Sequence, residues 1–141
     1  MASSRIVVGV DGSDHSARAL QWCADHAGAF QAEVIVVHVV EIPPQLGPVL
    51  PVLPSLTELQ REELGDLVEV WCKPLADAGV SYRVTIVEGR APHALAGIAE
   101  DEDAELVVTG RRGRGEFAEL VLGSTSHALT HCLDRPLVIV P

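Results

Sequence analysis

The 141-residue sequence predicts an α/β fold, an open five-stranded parallel sheet with helices on both faces. Three observations lead there. Five short apolar runs, 6–10, 34–40, 84–87, 106–108 and 137–140, are continuous rather than alternating and rich in valine and isoleucine. Strands covered on both faces read this way. Segments with helical spacing separate the runs, which gives the order β-α-β-α-β-α-β-α-β with four helices. That alternation favours parallel pairing through right-handed crossovers.

The elements follow one another with clear punctuation. Run 6–10 stops at Asp11-Gly12-Ser13, and Ser13 or Asp14 is a fitting N-cap for the first helix. Ala17, Leu20, Ala24 and Ala27 line one face of that helix at i, i+3, i+7 and i+10, and Gly28 sits near its end. Run 34–40 is followed by a segment, 42–54, holding five of the nine prolines: Pro43, Pro44, Pro48, Pro51 and Pro54. That density forbids a regular helix or central strand and predicts an extended surface loop. Leu56, Leu59, Leu64, Leu67, Val68, Trp71 and Leu75 mark one long second helix, closed by Gly79. The third helix covers 92–100, with Pro92 in its first turn and Leu95, Ile98 and Ala99 inward. Run 106–108 stops at Gly110. A fourth helix starts at Ser124 and carries Ala128, Leu129 and Cys132 ahead of run 137–140. No internal repeat or low-complexity tail interrupts what reads as a single domain, 1–141.

Composition narrows the function classes. The formal net charge of −10 disfavours nucleic-acid binding, which needs basic surface. No apolar stretch approaches the ~20 residues of a membrane span, and residues 1–5 lead straight into a strand without a secretory signal. Cys23, Cys72 and Cys132 form no C-x-x-C pair. They fit reduced, mostly buried thiols in a cytoplasmic protein.

The chemistry is concentrated in residues 105–126. Gly110, Gly113 and Gly123-Ser124 spell G-x2-G-x9-G-S between a buried strand and a helix. Glycines let a ligand approach the main chain closely, and a helix opening at Ser124 points free N–H groups at an anion. Arg111, Arg112 and Arg114 add positive charge to the loop of an otherwise acidic chain. The pattern suits a nucleotide. Open α/β sheets bind ligands outside the carboxyl ends of their strands, where both Asp11-Gly12-Ser13 and the Gly110 loop fall.

Competing motifs are weaker. Gly113-x-Gly115-x-x-Ala118 matches a dinucleotide fingerprint, but Asp134 precedes a strand instead of ending one, so nicotinamide binding is disfavoured. There is no G-K-[ST] tripeptide, and Lys73 lies in a helix remote from the glycines, which excludes a P-loop mechanism. His127 and His131 stand at i and i+4 without a third metal ligand in view, and Cys23 and His26 carry no more chemistry. No residue has an obvious base role, so a phosphotransferase or nucleotide hydrolase is disfavoured and any ATP hydrolysis should be slow.

Taken together, the chain resembles the universal stress protein (Usp) family over essentially its whole length. Arg5 to Ser13 (RIVVGVDGS), His15-Ser16, Ala19-Leu20-x-Trp22 and Val36-Val37-His38-Val39 are similar to its first two strands and first helix. Gly89-Arg90-Ala91-Pro92, residues 106–113, residues 123–126 and Arg135 to Pro141 (RPLVIVP) resemble its remaining hallmarks. The resemblance implies a Rossmann-like, adenine nucleotide alpha hydrolase-like sheet of strand order 3-2-1-4-5. Members that carry the full glycine motif are expected to bind ATP, with magnesium as an accompanying ion. Cyclic AMP is the alternative ligand.

The resemblance also implies site roles. Asp11 would accept hydrogen bonds from ribose hydroxyls, with the Val10 backbone facing the same pocket. The plain alternative for Asp11 is an Asx-turn into the first helix. Val39 would offer its peptide groups to the adenine edge. Gly110, Gly113, Gly123, Ser124 and Thr125 would surround the phosphates, joined by Arg112 and Ser126. Run 137–140 would be an exposed edge strand that pairs in a homodimer. The expected role is a non-enzymatic regulatory or sensor module in the stress response, acting on a protein partner not identifiable from sequence. The alternative is a nucleotide-independent dimeric interaction protein whose glycine loop is structural.

Overall fold

The computed structural model describes residues 4–41, 56–112 and 122–141. The proline-rich segment 42–54 and, in the glycine loop, Gly113, Arg114, Gly115 and Ala118 lie outside the described residues. The strands are β1 (Ser4–Gly9), β2 (Ala32–Glu41), β3 (Tyr82–Gly89), β4 (Leu106–Gly110) and β5 (Leu137–Val140). The helices are α1 (Asp14–Phe30), α2 (Glu58–Trp71), α3 (Lys73–Asp77), α4 (Ala91–Asp101) and α5 (Ser124–Cys132). All strand pairs are parallel, and the sheet order is β3-β2-β1-β4-β5, as the resemblance implied.

Parity along the strands divides the core. Ile6, Val8, Val34, Val36, Leu106 and Val108 pack under α1, α2 and α3. Val7, Ile35, Val37 and Val107 face α4 and α5 on the other side. Ile6, Val7 and Val8 are fully buried, so the central strand has no solvent face and needs no polar alternation. The chain builds outward from β1 to β3, then returns to add β4 and β5 on the other flank. Constant crossover handedness then moves the helices to the opposite face, and the carboxyl ends of β1 and β4 part at the reversal.

One helical expectation is corrected. The single long second helix is two, because the run breaks at Cys72, ahead of Pro74 in the first turn of α3. Proline has no N–H for a helical bond and its ring clashes with the preceding turn. Cys23 and Cys72 are buried and Cys132 is exposed, in line with mostly buried thiols. Elsewhere the punctuation works as read. Ser13 caps α1 by accepting the Ser16 N–H at 3.2 Å. Gly79 takes φ +68° after α3. The left-handed residue closing α1 is Gln31, three positions beyond Gly28.

Candidate functional site

The carboxyl ends of β1, β2 and β4 open onto a cleft of about 300 Å³, the lower end of the range for small-molecule sites. On the β1 side, the Val10 N–H donates to Val37 O at 2.9 Å, which carries β1 one residue past its last paired position. Gly12 then takes φ +80°, a conformation glycine adopts without strain, and the chain turns into α1. Asp11 lines the cleft, and its Oδ1 accepts the Ser13 N–H at 2.9 Å. The Asx-turn is therefore present, and it fixes the direction of the carboxylate. Ser16 supports it from below. Its Oγ accepts the Asp11 N–H at 3.3 Å and donates to Ser13 O at 3.2 Å.

β2 supplies the apolar end. Pairing with β1 stops at Gly9↔Val37, while pairing with β3 continues through Val39↔Val87 to Glu41↔Gly89. In a parallel ladder each residue directs both peptide groups to the same neighbour, and the next residue directs its own to the other side. Val37 bonds toward β1. Val39, two residues on, therefore points its N–H and C=O to that same side, beyond the end of β1. Val37, Val39, Ala91 and Leu95 wall this part of the cleft.

The polar end comes from β4 and α5. A Cβ on Gly110 would stand 2.7–2.8 Å from the backbone and Cβ of His15, so only glycine lets the first turn of α1 lie against β4. The Arg111 N–H donates to Val140 O at 2.7 Å. Arg111 O accepts the Gly123 N–H at 2.7 Å and the Ser126 hydroxyl at 2.8 Å. These bonds close the loop's two ends on one another and fix where α5 begins. Gly123 is the N-cap of α5 and brings no side-chain cap. The first-turn N–H groups of Ser124, Thr125 and Ser126 therefore stand at the positive end of the helix dipole, and all three residues line the cleft with Arg112.

Of the ten residues expected at the site, Val10, Asp11, Val39, Gly110, Arg112, Ser124, Thr125 and Ser126 line one cleft. Gly123 caps the helix that faces it, and Gly113 lies outside the described residues. Ser126 is 2% exposed, and its hydroxyl proton is committed to Arg111 O and Gly123 O. What it can offer an anion is its N–H. Sequence reasoning missed Gly9, Ser16, Val37, Glu41, Ala91, Leu95 and Thr109. Glu41 was accessible from the alternation Val37, Val39, Glu41. The others have no local signal, since they reach the cleft only through sheet packing.

His127 and His131 are exposed, their rings edge to face at 5.1 Å. His26 stacks on Trp22 at 4.2 Å. Neither group joins the cleft. No helix among the described residues is long and apolar enough to cross a membrane.

Comparison with known proteins agrees with this architecture. Residues 3–141 match the profile of the universal stress protein family. A universal stress protein of Thermus aquaticus is 32% identical over 137 residues, covering 96% of both chains. One from Mycolicibacterium smegmatis is 32% identical over 138 residues, but this chain spans only 47% of that relative's length. Among solved structures, a universal stress protein from Archaeoglobus fulgidus in complex with dAMP aligns with TM-score 0.75 at 19% identity, covering all of both chains. Another in complex with cAMP aligns at 0.70 and 24% identity, covering 100% of this chain and 98% of the other. With sequence, profile and fold in agreement from end to end, the chain belongs to the universal stress protein family.

Proposed function

We propose that the cleft binds an adenine nucleotide, ATP, and that occupancy rather than turnover is the protein's output. The observation that carries this is the α5 N-terminus, whose glycine cap brings no side chain, facing the same cleft as the Asp11 carboxylate and the outward peptide groups of Val39. Acceptors and an apolar wall at one end, with donors at the other, match a nucleoside joined to phosphate. The Val39 N–H and C=O take the adenine edge, and the oriented Asp11 carboxylate takes ribose hydroxyls. The N–H groups of Ser124, Thr125 and Ser126, with the Arg112 guanidinium, take the phosphates. Gly110 and Gly123 let the main chain come close, and Gly113 has the same part in the loop between them. Magnesium would arrive with the phosphates, and cyclic AMP is the alternative occupant. Relatives of the fold solved with dAMP and cAMP support an adenine ligand.

In this reading the protein is a regulatory module of the cytoplasm, a homodimer through the β5 edge, whose nucleotide-bound form is read by a protein partner. A second reading has specific support: Gly110 has a packing reason and Asp11 a turn to hold without any ligand. A nucleotide-independent interaction protein would need no more.

Thermal unfolding separates the two. At a hundredfold excess over its dissociation constant, ATP adds about 2.7 kcal/mol, which should raise the melting temperature by roughly 5–10 °C. Asp11→Ala and Arg112→Ala should each lose most of that gain. A melting temperature unmoved by ATP and cyclic AMP alike would favour the second reading.

A further inference from the structure

Glu41 ends β2 on the same face as Val37 and Val39, and it lines the cleft beyond them. The Ala91 N–H in the first turn of α4 donates to its Oε1 at 3.4 Å. Two helices thus aim their N-termini at one cleft, but they are treated differently. The α4 end already faces a carboxylate from within the chain, while the α5 end has a glycine cap and, among the described residues, no side-chain acceptor. An anionic group is therefore turned away from α4 and toward α5. What remains beside Glu41 is a place for a hydrogen-bond donor, because a carboxylate only accepts and has lone pairs to spare after one contact.

We propose that Glu41 adds to base discrimination in the cleft, beside the Val39 peptide groups. Its carboxylate, steadied at the start of α4, accepts from the exocyclic amine of a 6-aminopurine and repels the carbonyl of a 6-oxopurine. This rests on the nucleotide reading above and deepens it. Adenine presents an N–H donor at that ring position, and hypoxanthine presents an oxygen lone pair. A carboxylate facing that oxygen sets two acceptors against one another, which is costlier than a lost bond. Glutamine has the same shape but carries an amide N–H2 that can donate to the carbonyl.

The test is calorimetric affinity for ATP and ITP, which differ in the substituent at that position and in the proton that hypoxanthine carries on N1, in the wild type, Glu41→Gln and Glu41→Ala. The wild type should prefer ATP by about tenfold or more. Glu41→Gln should shrink that ratio at least several-fold, mainly by binding ITP more tightly, and Glu41→Ala should fall between. If both affinities drop together and the ratio holds, Glu41 only caps α4 and the proposal is overturned. If the wild type binds neither nucleotide, the nucleotide reading itself fails and takes this inference with it.

Discussion

At Asp11 and Gly110 one residue carries two physical duties. The Asp11 carboxylate closes the turn into α1 and points into the cleft, so its Asx-turn and its cleft position are one geometry. Gly110 reads in the sequence as phosphate-loop glycine, yet the contact it relieves is with His15. The glycine was legible and its reason was not, because motif spacing reports backbone freedom without saying which neighbour requires it. Outside the site, Tyr82 offers a clean residue-scale test. Its hydroxyl donates to Glu69 Oε2 at 2.8 Å, and that bond, with burial and the Glu69 charge adding, pushes the phenol up to about 12. A folded pKa above the ordinary value near 10 means the bond's stabilisation is fully present below pH 10 and is lost as the pH rises toward 12. Tyr82 is the sole tyrosine, so absorbance at 295 nm follows it alone. The midpoint should lie near 12 and fall toward 10 in Glu69→Gln. Equal midpoints in the two proteins would show that the bond is absent in solution.

Among the elements, α1 and α4 are the pieces whose sequence and position agree most fully. Ser13 as cap, Pro92 in the first turn and the buried Leu95 and Ala99 all stand where spacing put them. The α2–α3 break was missed because leucine periodicity carries on through 72–75, while the stop comes from Pro74 and the missing N–H. Glycines within these elements give a matched pair of predictions. Gly97, exposed in α4, has nothing within 4 Å of an added Cβ, so Gly97→Ala should stabilise by about 0.5–1 kcal/mol through the unfolded chain. Gly110→Ala would drive a methyl into the His15 backbone, which cannot swing aside, and should cost about 1–3 kcal/mol. Urea unfolding of both variants measures the difference. Equal stabilities would contradict the close approach of α1 to β4.

For the whole molecule, the five strands were legible because doubly covered strands write themselves as uninterrupted valine and isoleucine runs; their order came only with the family resemblance, and the reversal between β1 and β4 then locates the cleft. The lining residues from Val37, Ala91 and Leu95 were not legible, since no local pattern distinguishes a core side chain from one at a strand's open end. Among the described residues, the same topology pairs β5 with β4 alone. Val140 O and Pro136 O accept from β4 and its extension, so by alternation Leu137 and Ile139 direct their peptide groups to the open edge. Val138 and Val140 pack against the core, which makes Ile139 the informative position for the proposed dimer. Ile139→Pro removes one outward N–H where an edge strand tolerates it. Light scattering should then give the mass of one chain with the circular dichroism unchanged, and a persisting dimer would place the interface elsewhere. Calorimetric titration of refolded protein with magnesium-ATP tests whether an adenine nucleotide sits between β1, β2 and the α5 N-terminus. Binding should saturate at one nucleotide per chain, be displaced by cyclic AMP and weaken at least tenfold in Asp11→Ala. No heat from either nucleotide, with the protein folded throughout, would contradict that placement.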